Sequence, residues 1–341
     1  MRIAILRDPV ARSKPGETTH FLAREALRRG YEVWVFTADQ LRWDEGVVRA
    51  RASTISYAGP DAATGPIEDV DLATMDVVLV RHDPPADLAW QCPLWILDHL
   101  PPHVVVANSL AALRSLPDKL GILGFAEAIP PTLITADPAT LREFRERHAA
   151  IVIKPLFDKG SAGVFVFAPD DHNFDVVLDS WLPRIGHPVM AQAWVPEASE
   201  GPVRVMVIAG RIVGALRAVP RSGHRRVSMD SAREVIAHSL DEAQLRTVTR
   251  VAAELGHRGV MMAGLDLVGD RLIELNLTSP GGEVYYDRVY PTPLAVSFWD
   301  AMEAQRSAIG ATMSSVETAV SSSRTSAPAN RPLTINAHTI G

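Results

Sequence analysis

Gly264-Leu265-Asp266-Leu267-Val268-Gly269-Asp270-Arg271-Leu272-Ile273-Glu274-Leu275-Asn276-Leu277 is a pair of short alternating runs around Gly269-Asp270, and this pattern predicts a β-hairpin. Burial sets its register. For Leu265 and Leu267 to share a face with Ile273, Leu275 and Leu277, the loop takes three residues and residue 268 pairs with 272. That register places Asp266 opposite Glu274, with Asn276 two residues further along the same face. Two carboxylates and an amide oxygen then converge where a hard cation such as magnesium, or manganese in its place, is held with water and phosphate completing its shell. A solvated outer face alternates in the same way, so the basic half of the site decides between the two.

That half lies upstream. Ala150-Ile151-Val152-Ile153-Lys154-Pro155 is an apolar strand ending in a lysine, followed by Asp158-Lys159-Gly160-Ser161-Ala162-Gly163. Small residues let backbone N–H groups approach phosphate oxygens, and the lysine adds a point charge. Arginine is otherwise the default cation of this chain: among its 34 basic residues the lysines are Lys14, Lys119, Lys154 and Lys159, and three of them fall in this one region.

Around these segments the chain divides into parts. Arg2–Leu6, Thr18–Arg29 and Tyr31–Phe36 read as strand, helix and strand, and Asp76–Arg81 and His103–Asn108 repeat the short apolar run. The pattern predicts a parallel sheet with crossover helices, an α/β domain over residues 1–117. From Pro130 the strands alternate along hairpins instead: Ile151–Lys154, Gly163–Phe167, Val189–Val195, and Val203–Ala218 folded about Ala209-Gly210. With helices at Pro138–His148 and Asp241–Leu255, this reads as two α+β lobes, about 118–190 and 191–303, able to close on a ligand. From about Ala304, stretches such as SSVETAVSSSRTSAPANRP carry few large apolar groups, and 304–341 is expected to lack order.

Composition excludes several functions. With 341 residues, 47% hydrophobic and 22% charged, the chain is ordinary globular protein, and a net charge of -6 supplies no field to gather nucleic acid. No run of about 18 apolar residues and no signal peptide is present, so a cytoplasmic protein without membrane contact is expected. Cys92 is the single cysteine, and the 11 histidines show no metal-ligand spacing.

With these pieces in order, the chain resembles the ATP-grasp superfamily, and most closely bacterial glutathione synthetase. The matching stretches are Asp8-Pro9, Glu25-Ala26-Leu27-Arg28-Arg29-Gly30-Tyr31-Glu32, Val80-Arg81-His82-Asp83-Pro84-Pro85, Asp118-Lys119-Leu120, Ile153-Lys154-Pro155-Leu156, Met190-Ala191-Gln192 with Val195-Pro196, Arg204-Val205-Met206-Val207, and Gly264 through Pro280. The resemblance implies an ATP-grasp fold preceded by a Rossmann-like pre-ATP-grasp domain, and a carboxylate–amine ligase working through an acyl phosphate. It implies ATP contacts from Lys119, Lys154, Gly160, Ser161, Gln192, Trp194 and Val195, with the 192–195 segment facing adenine. Magnesium would be held by Asp266, Glu274 and Asn276, Arg204 would steady the transferring phosphoryl group, and Arg81, Asp83, Arg217, Arg225, Arg226 and Ser279 would meet substrate. Such chemistry needs positioning and charge neutralisation and no protein nucleophile. The partners expected are a small-molecule carboxylate and amine, with self-association into a homo-oligomer left open.

The chain departs from the family at three places. The loop after Lys154, richer in glycine in the family, is interrupted here by Lys159, Ser161 and Ala162. Arg221-Ser222-Gly223-His224-Arg225-Arg226-Val227-Ser228-Met229-Asp230-Ser231 replaces a longer glycine-rich loop, and Gly281-Gly282-Glu283-Val284-Tyr285-Tyr286 replaces the usual sequence after Thr278-Ser279-Pro280. A ligase acting on another amino acid or peptide pair would keep every ATP residue and change these loops. A degenerate nucleotide-binding module is opposed by the retention of Lys119, Lys154, Arg204, Asp266, Glu274 and Asn276 together. A dinucleotide oxidoreductase is opposed by Asp8-Pro9-Val10-Ala11, where a glycine-rich turn is needed.

Overall fold

The computed structural model describes residues 1–9, 17–59, 61–158, 163–221, 229 and 231–325. β1 (Arg2–Arg7) is continuously apolar at its centre, so it must be covered on both faces. It pairs in parallel with β2 (Glu32–Phe36), reached through helix α1 (Thr18–Arg28). β3 (Leu41–Asp44), β4 (Val47–Ala58) and β5 (Asp61–Asp71) then add an antiparallel arm before β6 (Val77–Arg81) returns to lie parallel to β1. Helix α2 (Leu88–Leu97) crosses to β7 (Val105–Ala107), and α3 (Leu110–Ser115) follows. The expected parallel sheet is therefore mixed, in the order β3-β4-β2-β1-β6-β7 with β5 outside β4. The arm escapes a reading of apolar runs because β5 is exposed along most of its length.

After a 3-10 stretch over Leu120–Ala128, β8 (Thr132–Thr135), α4 (Pro138–His148), β9 (Ile151–Pro155), β10 (Phe165–Phe167), α5 (Asn173–Ser180), α6 (Leu182–Ile185) and β11 (Val189–Ala193) form a four-stranded sheet ordered β10-β9-β11-β8. Asp137 caps α4 by accepting from the Thr140 amide at 2.9 Å, and Pro138 occupies the first turn, where its missing N–H costs nothing. This lobe has a core of its own, built from Leu141, Phe144, Ile151, Ile153, Phe167, Phe174, Leu178 and Val189.

The third sheet is ordered β14-β13-β12-β15-β16, from β12 (Val203–Ile208), β13 (Arg211–Val219), β14 (Glu234–Ala237), β15 (Met262–Val268) and β16 (Arg271–Asn276), with α7 (Glu242–His257) packed on it. β12 and β13 turn at Ala209 (φ 46°) and Gly210 (φ 75°), the two left-handed positions of a type I′ hairpin. Helix α8 (Glu283–Val289) and the start of α9 (Leu294–Thr325) return to the amino-terminal domain, where the buried Trp299 Nε1 donates to the Leu22 carbonyl at 2.8 Å. Beyond Met302, in the stretch expected to lack order, α9 continues to Thr325. Residues 301–306 are Ala, Met, Glu, Ala, Gln and Arg, all strong helix formers. Residues 326–341 lie outside those described.

One core runs from Leu6, Phe36 and Val80 through Leu110, Leu113 and Ile122 to Leu265, Leu272 and Leu275, so the first and third sheets are packed as a unit. Asn108, 6% exposed, joins them through polar bonds. Its Oδ1 accepts from the Met261 and Met262 amides, both at 2.9 Å. Its Nδ2 donates to the Met262 and Leu277 carbonyls at 2.8 and 2.7 Å. All of this amide's hydrogen-bonding capacity is used inside the core.

Helix α7 approaches the β12–β13 turn so closely that a Cβ at Gly256 would stand 2.9 Å from the Gly210 Cα. Gly256→Ala improves helix propensity by about 1 kcal/mol at most. The backbone contact outweighs that gain, and the variant is expected to lose about 1–3 kcal/mol, read as a lower urea midpoint with unchanged m-value.

Candidate active site

The β15–β16 hairpin turns in two residues, with Val268 paired to Arg271 and Gly269 at φ 58°. This corrects the expected three-residue loop. A bulge restores the other half of the expectation: Leu267 pairs with Leu272, the next pair is Asp266 with Glu274, and Ile273 is the extra residue between them. Leu272, not Ile273, therefore joins Leu265, Leu267, Leu275 and Leu277 in the core. Asp266 and Glu274 face each other as the sequence predicts, and the Asn276 Nδ2 donates to Asp266 Oδ2 at 3.1 Å.

Arg204, the register partner of Asp266 on β12, grips that carboxylate with both arms, Nε to Oδ1 at 2.7 Å and Nη2 to Oδ2 at 2.6 Å. The planar fork fits a carboxylate in a single orientation. Burial works against the guanidinium, yet the Asp266 charge and these bonds outweigh it and raise its pKa. From the other side comes Lys119, 4% exposed, whose Nζ lies 3.2 Å from Glu274 Oε1 and donates to the Asp158 carbonyl at 2.6 Å. Lys154, at the end of β9 in the central lobe, donates to the Gln192 Oε1 at 2.7 Å. Burial lowers its pKa to about 8, against the pull of Glu274. Three cations from three separate segments thus interleave with the carboxylates of one hairpin.

Two members of the site were not singled out as functional by sequence reasoning. Asp118 accepts from the Leu277 amide at 3.1 Å and its own carbonyl accepts from the Leu275 amide at 2.8 Å, which lays this residue along β16. Burial, then the Glu274 charge, pushes its carboxyl up to about 7. Its adjacency to Lys119 was the available signal. Glu283, fully buried, uses Oε1 to accept from the Ala295 amide at 3.0 Å and leaves Oε2 without a hydrogen-bond partner among the described residues. A lone acid after Gly281-Gly282 carries no pattern that predicts burial.

The remaining predicted residues are dispersed around this centre. The Gln192 side chain is spent on Lys154 and on Thr132, to which its Nε2 donates at 3.1 Å. The Trp194 amide donates to Ala150 and the Val195 carbonyl accepts from Ala198. Among the described residues this leaves the Trp194 carbonyl and Val195 amide as an unpaired acceptor and donor. Arg81 donates to the Pro280 carbonyl at 3.0 Å, while the Asp83 amide donates to Asp8 Oδ2 at 2.8 Å. Ser279 is half-buried one residue from Pro280. Arg217 is paired with Glu200 at 2.8 Å. Gly160, Ser161, Arg225 and Arg226 lie outside the described residues. No cluster of three or more His, Cys, Asp or Glu side chains suited to a metal occurs among the described residues. Two carboxylates and an amide suit a cation that draws its other ligands from phosphate and water.

Solved structures of ATP-grasp ligases share this fold. A D-cycloserine synthetase, DcsG, superposes with a TM-score of 0.65 at 17% identity over 90% of this chain and 100% of its own. The ATP-grasp ligase PsnB, complexed with a minimal precursor, gives 0.58 at 20% identity over 89% of this chain and 98% of its own. Within that class the chain belongs to the prokaryotic glutathione synthetases: residues 1–114 match the family's N-terminal domain and 118–289 its ATP-grasp domain. Glutathione synthetase of Brucella melitensis is 33% identical over 90% of this chain and 99% of its own length. That of Neisseria meningitidis serogroup A is 32% identical over 83% and 92%. The protein is a glutathione synthetase-like, ATP-dependent ligase. Among the described residues no helix is long and apolar enough to cross a membrane.

Burial, reinforced by Asp287, pushes Glu283 up to about 8. Because the folded value is raised, the unfolded chain loses this proton first as pH climbs past its ordinary value of 4.5. This group's contribution therefore falls between about pH 4.5 and 8, by at most about 1.4 kcal/mol per pH unit. Glu283→Gln should flatten the pH dependence of stability and gain on the parent toward pH 8, measured by urea unfolding at pH 5.5 and 8.

Proposed function

We propose that this protein joins γ-glutamylcysteine to glycine with ATP, forming the glutathione for which its relatives are named. The observation that carries the reading is the interleaving of Lys119, Lys154 and Arg204 with Asp266, Glu274 and Asn276, because a triphosphate and its counter-cation need both halves in one place. The reading takes residues 1–117 as the pre-ATP-grasp domain and 118–303 as the ATP-grasp domain.

In this scheme Lys154, from the central lobe, and Lys119, from the chain entering the third sheet, bind phosphate oxygens. Gln192 holds the Lys154 ammonium in place, and the Trp194 carbonyl and Val195 amide meet the adenine edge. Gly160 and Ser161 belong to the loop that follows Lys154 and would add backbone donors. Asp266, Glu274 and Asn276 would hold magnesium, with manganese as its substitute, and a divalent cation there would neutralise charge on the transferring phosphoryl group. Arg204 would steady that group and the tetrahedral centre formed when the amine attacks the acyl phosphate. Arg81, Asp83, Arg217 and Ser279 would meet the substrate, and the same role is proposed for Arg225 and Arg226, which lie outside the described residues. Dependence on ATP supports a cytoplasmic location, and self-association is left to measurement.

A related ligase for another carboxylate–amine pair is favoured by one feature. The Tyr286 and Tyr290 rings, stacked 4.4 Å apart, cover Gly214 of β13 and hydrogen-bond its strand at the Val213 and Ala215 carbonyls, and Tyr286 belongs to the segment that departs from the family. Phosphate release in ATP and magnesium, with γ-glutamylcysteine and glycine offered singly and together, separates the two. The expected result is release only with the complete pair, with glutathione identified by mass. Silence there with turnover of another pair reassigns the substrate, and silence throughout would leave a nucleotide-binding module.

Glu274→Gln keeps the shape of the side chain and removes one charge from the site. Turnover should fall on the order of 100-fold or more while thermal unfolding remains cooperative. Full activity in this variant would remove Glu274 from the metal set.

A further inference from the structure

Arg7 ends β1 as Arg81 ends β6, and the two are register partners in adjacent parallel strands. Their side chains therefore leave the sheet on the same face, the one covered by the start of α1. Arg81 shows this directly, since its Nε donates to Thr19 Oγ1 at 3.3 Å. Like charges on neighbouring register positions repel, and neither is dissolved in bulk water. Burial lowers the pKa of Arg7 and lowers that of Arg81 to about 10.

Arg81 has carbonyl and hydroxyl partners. Arg7 has no hydrogen-bond or ion-pair partner among the described residues. The acid that follows it, Asp8, is engaged with the Asp83 amide at 2.8 Å. Glu17 and Tyr57 reach Arg7 only as more distant charges. Tyr57 is in turn held by His20, whose Nδ1 lies 2.9 Å from the phenol oxygen, and by the Arg24 guanidinium 4.4 Å above its ring. A half-buried guanidinium without a partner, beside a second one, is an arrangement that an incoming anion stabilises.

The place of this anion site relative to the chemistry is fixed by a short series of contacts. Arg204 Nη1 lies 3.5 Å from the Gly281 carbonyl, the preceding Pro280 carbonyl accepts from Arg81, and Arg81 is the neighbour of Arg7. The carboxyl ends of parallel strands are also where open α/β sheets receive ligands.

We propose that Arg7 is a donor-specificity residue, receiving a second carboxylate at the end of the donor remote from the one activated beside Arg204. The inference rests on the ligase reading above. For γ-glutamylcysteine that group is the glutamyl α-carboxylate, since the cysteinyl carboxylate is the one phosphorylated. Arg7 touches no reacting atom, so its effect belongs in donor binding and not in turnover.

The test is steady-state kinetics of the full chain, of Arg7→Gln and of Arg7→Lys, with the dipeptide and with the same dipeptide carrying an amide in place of the glutamyl α-carboxylate. A lost charge-assisted bond raises the donor KM of Arg7→Gln by about 10- to 100-fold, with kcat and the KM for ATP within about twofold and partial recovery in Arg7→Lys. The parent protein disfavours the amide by a similar factor, and Arg7→Gln does not distinguish the two donors. Equal donor KM in parent and Arg7→Gln overturns the proposal. Should Arg7→Gln not fold, the parent alone decides, because equal use of acid and amide also overturns it. Failure of the glutathione reading shows differently, as a parent protein inactive on the dipeptide, and the same acid–amide comparison then applies to whichever carboxylate donor it turns over.

Discussion

β16 is held from both sides, and the site depends on that. On one edge it pairs with β15. On the other, the Leu275 amide donates to the Asp118 carbonyl and the Leu277 amide to the Asp118 side chain. The chain leaving the first sheet is in this way laid along the hairpin as a partial further strand. Lys119 is carried to within 3.2 Å of Glu274 as a result, with no need for a long flexible reach. Asn108 makes the same junction a few residues earlier, using every bonding position of its amide. An unpaired backbone group at such a depth would cost about 1–3 kcal/mol, so these bonds fix the path of residues 108–119 and with it the position of the first domain over the site.

The site itself follows a division of the hairpin into two faces. Leu265, Leu267, Leu272 and Leu275 enter a core continuous with that of the amino-terminal sheet, while Asp266, Glu274 and Asn276 are left on the other face. Charges so placed need counter-charges, and the fold supplies them from distant parts of the chain: Arg204 from the adjacent strand, Lys119 from the domain junction, Lys154 from the central lobe. The central lobe keeps a largely separate hydrophobic cluster. Lys154 and the segment 192–195 can therefore belong to one packed body and the carboxylates to another. Family membership explains why the pattern is present. Three further features are local: the Tyr286–Tyr290 stack, the buried Glu283, and Arg7 beside Arg81.

Much of this was legible in the sequence because it depends on local periodicity. The apolar runs at 2–6 and 76–81, the amphipathic helices at 18–29 and 138–148, the turn at Ala209-Gly210 and the opposition of Asp266 to Glu274 all follow from which residues must share a face. The outer strand of the antiparallel arm, β5, was not legible, since a strand exposed on both faces lacks the alternation that burial imposes. The loop of the key hairpin was read as three residues because equal leucine spacing conceals a bulge at Ile273. Helix α9 extends past the point where composition weakens.

Sequence by itself determined the kinds of chemistry available: the paired acids, the few lysines near a strand end and a small-residue loop, the lack of a nucleophile constellation, and the family. Those depend on residue type and spacing within a segment. Tertiary structure alone decided which cations face which carboxylates, that the Gln192 side chain serves Lys154, that Asp118 binds the hairpin edge, that Glu283 is buried, and that Arg7 and Arg81 stand side by side. Each of these is a contact between segments separated by tens to hundreds of residues. Such contacts are set by sheet register and shared burial, which no local pattern records.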